Sequence, residues 1–166
     1  MLITPEEKYA NLYKEMYKLC VEQNWGEPFS YARSKEILLA NMLGHTIADT
    51  FSGADAFNQD GKPVEYKTTN GLKIQGSYTG ISRFLVWSDQ EHYLRFEKIG
   101  KYEEHYYARF EDGHIAEIWM LTGQQVLDIL LPKLKRKFET SKKNKDPRLS
   151  AIVTNSEITR LGKRVL

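Results

Sequence analysis

The sequence predicts an α/β (α+β) fold in which a central mixed β-sheet is flanked by helices. The first observation is the order of its patterned segments, which runs from helices to strands, back to a helix, and then to a short strand. The second is composition, because 166 residues with 41% hydrophobic and 28% charged side chains suit one globular core. We therefore expect a single domain over residues 1–166.

Two helices are predicted before the first strand. Between Pro5 and Gln23, apolar residues recur at the i, i+3, i+4 spacing of an amphipathic helix. They are Tyr9, Leu12, Tyr13, Met16, Leu19 and Cys20, and the single cysteine is expected to be buried. A second helix is predicted from near Ser30 to Gly44, a residue type that commonly ends helices, and it carries Glu36.

A β-hairpin is predicted next. Residues 54–57 and 64–69 favour strands, and residues 59–62 favour the turn between them. The dipeptide Asp60-Gly61 between two such runs is a strong hairpin signal. The residues that follow, 70–82, are polar and rich in glycine, so they predict an exposed loop of the kind that often carries recognition.

The C-terminal half contains a second predicted hairpin, with strands at 104–110 and 114–121, after a short helix at 89–98. A longer amphipathic helix is predicted over residues 124–138, with Pro132 as a possible kink. A short strand at 151–154 and a turn to the C-terminus complete the prediction.

The small net charge of +2 is unevenly distributed. From residue 132 onward there are 11 Lys and Arg against 3 acids, and Lys142, Lys143 and Lys145 belong to this basic segment. Such a segment suits a polyphosphate backbone, although a solvated helix face followed by a loop explains it equally well. The sequence shows neither an apolar run of about 18 residues nor the pattern of a signal peptide, so we expect a cytoplasmic protein with no membrane partner.

The residues that indicate chemistry are an aspartate and a Glu-x-Lys on the first predicted hairpin. Phosphodiester hydrolysis needs an activated water and neutralisation of developing negative charge, and hard oxygen ligands on Mg²⁺ supply both. Asp55 and Glu65 are the candidate ligands, and the backbone carbonyl of Tyr66 is a third. Because side chains alternate along a strand, Lys67 shares a face with Glu65. It could orient or deprotonate water, or stabilise the transition state.

A purely structural interpretation competes with this one. The charged outer face of a two-stranded hairpin would also place Asp55, Glu65 and Lys67 together, with a cross-strand salt bridge as their only role. The small pair Gly53-Ala54, the tight turn and the nearby Glu36 favour the catalytic interpretation.

On these residues the chain resembles the PD-(D/E)XK nuclease superfamily. The resemblance implies a restriction-endonuclease-like fold in which Asp55 and Glu65 bind Mg²⁺ and Lys67 is catalytic. Ala54 stands where the motif name has proline. Glu36 occupies the place where many members have a further acidic residue, which makes it a possible metal ligand or else a solvent-facing glutamate.

A closer similarity is to small homodimeric type II restriction endonucleases. It rests on residues 53–56 and 65–68, on the two-strand segment 106–121, and on the basic end near residues 162–164. This resemblance implies a homodimer that acts on double-stranded DNA.

Recognition residues are expected just after the catalytic strand, where amide and cationic side chains suit major-groove contacts. The candidates are Asn70, Lys73, Gln75, Ser77, Tyr78, Thr79 and Arg83. A plain solvated loop is the alternative. The histidines His92, His105 and His114 lack metal-ligand spacing and are expected to be ordinary surface or strand residues.

The function expected from these features is a Mg²⁺-dependent, sequence-specific DNA endonuclease that acts as a homodimer. A structure-specific repair or recombination nuclease of the same superfamily is the alternative enzyme. A nucleic-acid-binding module without chemistry is the alternative outside enzymes.

Overall fold

The computed structural model describes residues 3–49, 53–141 and 146–166. The chain divides into two compact units, residues 1–61 and 62–166. The expectation of one domain therefore stays a prediction. Lys142, Lys143 and Lys145 of the basic segment lie outside the described residues. The structure contains helices and a mixed β-sheet, so the predicted α/β class is confirmed.

The first unit begins with helix α1, Pro5–Glu22, which has the predicted bounds almost to the residue. Thr4 starts it through a capping box, because its hydroxyl accepts from the Glu7 amide at 3.2 Å and the Glu7 carboxylate accepts from the Thr4 amide at 2.9 Å. Each bond satisfies a backbone donor at the helix start. The helix therefore begins at a position that local sequence specifies.

The apolar side of α1 is mostly exposed. Cys20 is buried as predicted, but the remaining apolar residues of the stripe are between 44% and 70% exposed. They are Tyr9, Leu12, Tyr13, Met16 and Leu19. A ring stack between Tyr13 and Phe29, with centroids 4.1 Å apart, covers part of the stripe. Helical periodicity identifies this apolar face without saying what covers it.

Helix α2, Arg33–Leu43, starts slightly later than predicted and ends at Gly44, whose φ of +67° is the left-handed conformation that glycine tolerates. Strands β1, Thr46–Ile47, and β2, Ala56–Phe57, then pair in antiparallel fashion. Strand β2 is therefore shorter than the predicted 54–57. The predicted turn follows, in which the Asn58 carbonyl accepts from the amide of Gly61 at 2.9 Å.

The second unit is built on a mixed sheet that contains the predicted second hairpin. Strand β3, Pro63–Thr69, begins it. Strand β4, Gly76–Ile81, lies in another sheet described below. Strands β5, Glu104–Glu111, and β6, His114–Thr122, pair in antiparallel fashion, whereas β3 and β5 are parallel. A short C-terminal strand, β8, Lys163–Arg164, lies beside β6, so the order in this unit is β3-β5-β6-β8.

Helices also belong to this unit. Helix α3, Trp87–Tyr93, continues into a π-helical turn, Leu94–Lys98, over the predicted short helix. Helix α4, Gly123–Thr140, contains Pro132 and confirms the predicted long helix. It packs against β5 and β6 and brings a row of leucines into the core.

Strand β4 corrects the prediction of an exposed loop over residues 70–82. It pairs in antiparallel fashion with strand β7, Leu149–Val153, and α4 also packs against β7. The predicted terminal turn was wrong as well, because helix α5, Asn155–Leu161, and strand β8, Lys163–Arg164, occupy that region. The Thr154 hydroxyl caps α5, and it accepts from the amide of Glu157.

Candidate functional site

Glu65 and Lys67 lie on one face of β3, as strand alternation predicts. Val64 and Tyr66, on the other face, are buried at 0% and 4% exposure. The Glu65 and Lys67 side chains are 19% and 21% exposed. They thus occupy the boundary between the core and solvent, where a charged group keeps access to a ligand while its stem is packed.

The two side chains form an ion pair between Oε1 of Glu65 and Nζ of Lys67. Within residues 3–49, 53–141 and 146–166, the second oxygen of Glu65, Oε2, has no hydrogen-bond partner. A carboxylate with one oxygen held by an ammonium and the other open can bind a further cation. The pair alone is also compatible with a structural salt bridge.

Strand β5 places two buried polar residues beside this pair. In the parallel register, Glu65 lies opposite His105 and Lys67 opposite Tyr107, so the four side chains share one face of the sheet. Both His105 and Tyr107 are fully buried. Sequence reasoning treated His105 as an ordinary surface or strand residue. The signal that could have identified it is its place in the alternation of β5, two residues before Tyr107 on the inward face.

Tyr78 joins these two residues in a chain of buried hydrogen bonds. Its hydroxyl lies 2.9 Å from Nδ1 of His105 and 2.8 Å from the hydroxyl of Tyr107. On the other side of the imidazole, Nε2 lies 3.1 Å from the Ile99 carbonyl oxygen. Both ring nitrogens of His105 therefore have partners, as a buried histidine requires.

Burial also decides the charge of this histidine. Removal from water lowers the pKa of His105 to about 4, although the nearby Glu65 carboxylate opposes the shift. The imidazole is therefore neutral near pH 7. Burial likewise raises the pKa of Tyr107, so its hydroxyl keeps its proton.

Lys67 packs on the ring of Tyr78. Its Nζ lies 4.7 Å from the ring centroid, within the range of a cation–π contact. Gly76, at the start of β4, allows this approach, because a Cβ there would lie 3.1 Å from Cγ of Lys67. Glu65 and the Tyr78 ring therefore both contact the same ammonium group.

The placement of Tyr78 corrects its assignment to an exposed recognition loop. At 5% exposure and with its hydroxyl bonded internally, it does not offer a polar atom to DNA. The other candidates between residues 70 and 79 are exposed, namely Asn70, Lys73, Gln75, Ser77 and Thr79. Ser77 and Thr79 alternate with Tyr78 on β4, so their side chains point away from the core.

Arg83 lies at the end of this segment and is tied to α4. Its guanidinium donates to the Ser141 hydroxyl at 3.1 Å and to the Phe138 carbonyl, and it stacks over the Phe138 ring at 4.6 Å. These contacts give Arg83 a structural role. Its role in DNA binding stays a prediction.

The first unit contains the other two candidate acids. Asp55 immediately precedes β2, and its backbone carbonyl accepts from the Ala48 amide at 3.0 Å. Glu36, on α2, is paired with Arg33, with Nη1 lying 3.1 Å from Oε2. Both Glu36 and Asp49 line a cavity of about 330 Å³ in this unit. The Arg33 contact means that Glu36 is neither a solvent-facing glutamate nor an isolated carboxylate.

The residue types available to a metal are carboxylate and carbonyl oxygens. In the described parts of the chain, no group of three or more His, Cys, Asp and Glu side chains is arranged to hold a metal ion. The sequence motif implies only two carboxylates and the Tyr66 carbonyl as ligands, which are hard oxygen atoms of the kind that Mg²⁺ prefers. The assignment of Asp55, Glu65, Tyr66 and Glu36 as ligands stays a prediction.

None of the helices in the described residues is both long enough and apolar enough to cross a membrane. No protein-family model matches the chain, and no curated protein matches its sequence.

Proposed function

We propose that this protein is a Mg²⁺-dependent, sequence-specific endonuclease that hydrolyses double-stranded DNA. The observation that carries the proposal is the Glu65–Lys67 pair, which lies at the edge of the core against a buried hydrogen-bonded scaffold. A partly buried ion pair is weak evidence for a purely stabilising role, because the cost of removing both charges from water offsets much of their attraction. Fixing two opposite charges at a solvent boundary instead suits a site where water must be oriented at a phosphate.

In this proposal Glu65 supplies a hard oxygen ligand, and its open Oε2 makes that donor set compatible with Mg²⁺. Asp55 supplies the second carboxylate, as the sequence motif implies. When bound, the ion supplies charge neutralisation at the phosphate and an acidified water. Lys67 directs an N–H toward the attacking water or the phosphoryl oxygen, because its ammonium is held beside Glu65.

Duplex DNA carries two antiparallel strands related by local twofold symmetry, so two copies of one catalytic domain match it as a homodimer. The exposed apolar stripe of α1 supports the dimer, since soluble proteins usually cover such a surface. The exposed polar residues between Asn70 and Thr79 are the proposed contacts to bases and phosphates. Such an enzyme would act on DNA in the cytoplasm.

The test is incubation of purified protein with long linear DNA of known sequence, with Mg²⁺ or with EDTA. Two variants, Glu65→Gln and Lys67→Met, address the site. Their matched controls are Glu103→Gln and Lys62→Met, because Lys62 and Glu103 form an ion pair in the same unit that is 51% and 65% exposed. We expect discrete fragments that require Mg²⁺, are lost in both site variants and persist in both controls.

The products also separate the alternatives. A smear, or cutting confined to branched or flapped DNA, would favour a structure-specific repair or recombination nuclease. Binding to DNA with no cleavage under any condition would contradict the enzyme and favour a non-catalytic nucleic-acid-binding module. Fragments that persist in Glu65→Gln would also contradict the proposed site.

A further inference from the structure

We propose that Tyr78 is a positioning residue for Lys67, and that His105 and Tyr107 lock the Tyr78 ring in place. This inference rests on the proposed nuclease function and deepens it. It assigns to the three buried residues the task of presenting the Lys67 ammonium in one orientation at the site where phosphate is attacked.

The contact that carries the inference is the Lys67 ammonium over the Tyr78 ring at 4.7 Å. A lysine side chain has four methylene groups and many rotamers, so a single ion pair with Glu65 constrains only one direction of its ammonium. The aromatic face supplies a second constraint from another strand. With the Glu65 carboxylate and the Tyr78 ring both in contact with the ammonium, its remaining N–H is left to face the substrate.

The hydrogen-bond directions show why the ring itself is held. The Ile99 carbonyl can only accept, so Nε2 of His105 carries a proton and, in the neutral imidazole, Nδ1 accepts. Tyr78 must therefore donate to His105. The Tyr78 oxygen is then left to accept from the Tyr107 hydroxyl. Each hydroxyl in the chain has a defined direction, which fixes the tilt of the Tyr78 ring.

These hydrogen bonds also explain why residue 78 is tyrosine and not phenylalanine, although it is only 5% exposed. Phenylalanine would give the same ring to Lys67 but would leave Nδ1 of His105 without its donor and the Tyr107 hydroxyl without its acceptor. A purely structural Tyr78 would fill the core equally well without Lys67. The experiment must therefore measure the position of the Lys67 side chain directly.

The first readout is the NMR chemical shift of the lysine Hε protons, in protein labelled with ¹³Cε-lysine and assigned with Lys67→Arg. The Tyr78 ring current should move the Lys67 signal upfield. Tyr78→Leu should abolish the shift, whereas Tyr78→Phe should retain part of it. Lys101 is an internal control, because its Nζ lies 4.8 Å over the Tyr102 ring and its signal should not change in either variant.

The second readout is the single-turnover cleavage rate on pre-bound DNA at saturating Mg²⁺, measured below the unfolding temperature of every variant. Tyr78→Leu should lower the rate by about 10²-fold, the scale expected when a reacting group is misplaced by about 1 Å. Tyr78→Phe should lower it by about tenfold or less. DNA affinity measured in Ca²⁺ should stay within about twofold of wild type, since Tyr78 offers no polar atom to DNA.

A double variant tests whether Tyr78 acts through Lys67. In the Lys67→Met background, Tyr78→Leu should cause no further loss of rate, because the group it positions is gone. An equal loss in both backgrounds would overturn the inference. So would a wild-type Lys67 signal without an upfield shift, or a Tyr78→Leu rate equal to wild type, while the nuclease function would stand.

Failure of the proposed nuclease function would give a different result from failure of the Tyr78 inference. If the Lys67 signal is shifted but wild-type protein cuts no DNA, the nuclease proposal fails, and the catalytic purpose assigned to Tyr78 fails with it. Tyr78→Phe keeps the test usable if Tyr78→Leu does not fold, because it retains the ring and loses only the hydroxyl.

Discussion

The main chain at Gly76 runs so close to the Tyr107 ring that a Cβ atom there would lie 2.3 Å from Cε1 of Tyr107. The absent side chain therefore creates the space in which that ring lies. Gly76 is paired with Val153 in the β4–β7 ladder, which limits any withdrawal of the strand. The same small residue makes room for the Lys67 stem.

Gly76→Ala should therefore destabilise the protein by about 1–3 kcal/mol, because the core must move to accept the added methyl group. Gly71→Ala is the matched control. Its Cβ would lie 3.3 Å from the Thr69 hydroxyl, a contact that a shift of a few tenths of an ångström relieves in this exposed segment. Urea denaturation of both variants measures the difference. Equal stabilities for the two would show that the Tyr107 ring has room to move.

His105 should make stability depend on pH. Its pKa is about 4 in the folded protein and near 6.5 when unfolded, so between these values the unfolded chain binds the proton. Its contribution is complete above pH 6.5 and is lost as pH falls toward 4. The loss is about 3 kcal/mol by linkage. Comparing urea curves of wild type and His105→Gln across this range isolates the effect, with the exposed His114→Gln as control. A pH dependence unchanged in His105→Gln would contradict it.

Arg33 should be important for the stability of the first unit. Its Nε donates to the Trp25 carbonyl at 2.5 Å, its Nη2 donates to the Ala48 carbonyl, and its Nη1 pairs with Glu36, all at 13% side-chain exposure. Arg33→Met removes every one of these donors and leaves Glu36 without its cation. We expect a loss of about 3 kcal/mol.

The matched control for that substitution is Lys14→Met on the exposed surface of α1, which should change stability by less than about 0.5 kcal/mol. Thermal unfolding followed by circular dichroism measures both. Similar midpoints for the two variants would mean that the Arg33 bonds contribute nothing net.

The apolar stripe of α1 should control association if a second copy covers it. Met16 lies near the middle of the stripe and is 44% exposed. Met16→Glu should weaken a dimer by about tenfold or more, because an unpaired carboxylate would be buried in the interface. Lys14→Glu, on the opposite side of the helix, should leave it intact. Sedimentation velocity over a concentration series measures the change, and an unaltered dimer in Met16→Glu would exclude this face.

Periodic local patterns predicted much of the fold. Helix α1, helix α4 and the β5–β6 hairpin were predicted to within a few residues, because periods of 3.6 and 2 are visible in the sequence itself. Strand β4 was missed because glycines dilute its alternation and its partner strand, residues 149–153, lies far along the chain. Local strand propensity carries no information about a partner strand so distant in the sequence.

The candidate site was predictable to a similar degree. Alternation along β3 correctly placed Glu65 and Lys67 on one face. It could not identify His105 and Tyr78 as their neighbours. His105 is brought there by the parallel pairing of β3 with β5 in one sheet, and Tyr78 by β4, which belongs to a second sheet. Tyr78 was assigned to the surface for the same reason. Whether these residues cut DNA is a separate question that the proposed assays address.

The hydrogen-bond chain through Tyr78 has a consequence for the order of folding. His105 and Tyr107 lie 27 and 29 residues beyond Tyr78, and the strand that pairs with β4 arrives only at residues 149–153. Contacts of such sequence separation form late and slowly. Until residues 149–153 are available to pair with β4, the ring that orients Lys67 is not secured. The arrangement around this lysine is therefore completed after the pairing of β3, β5 and β6, whose partners lie closer together in the sequence.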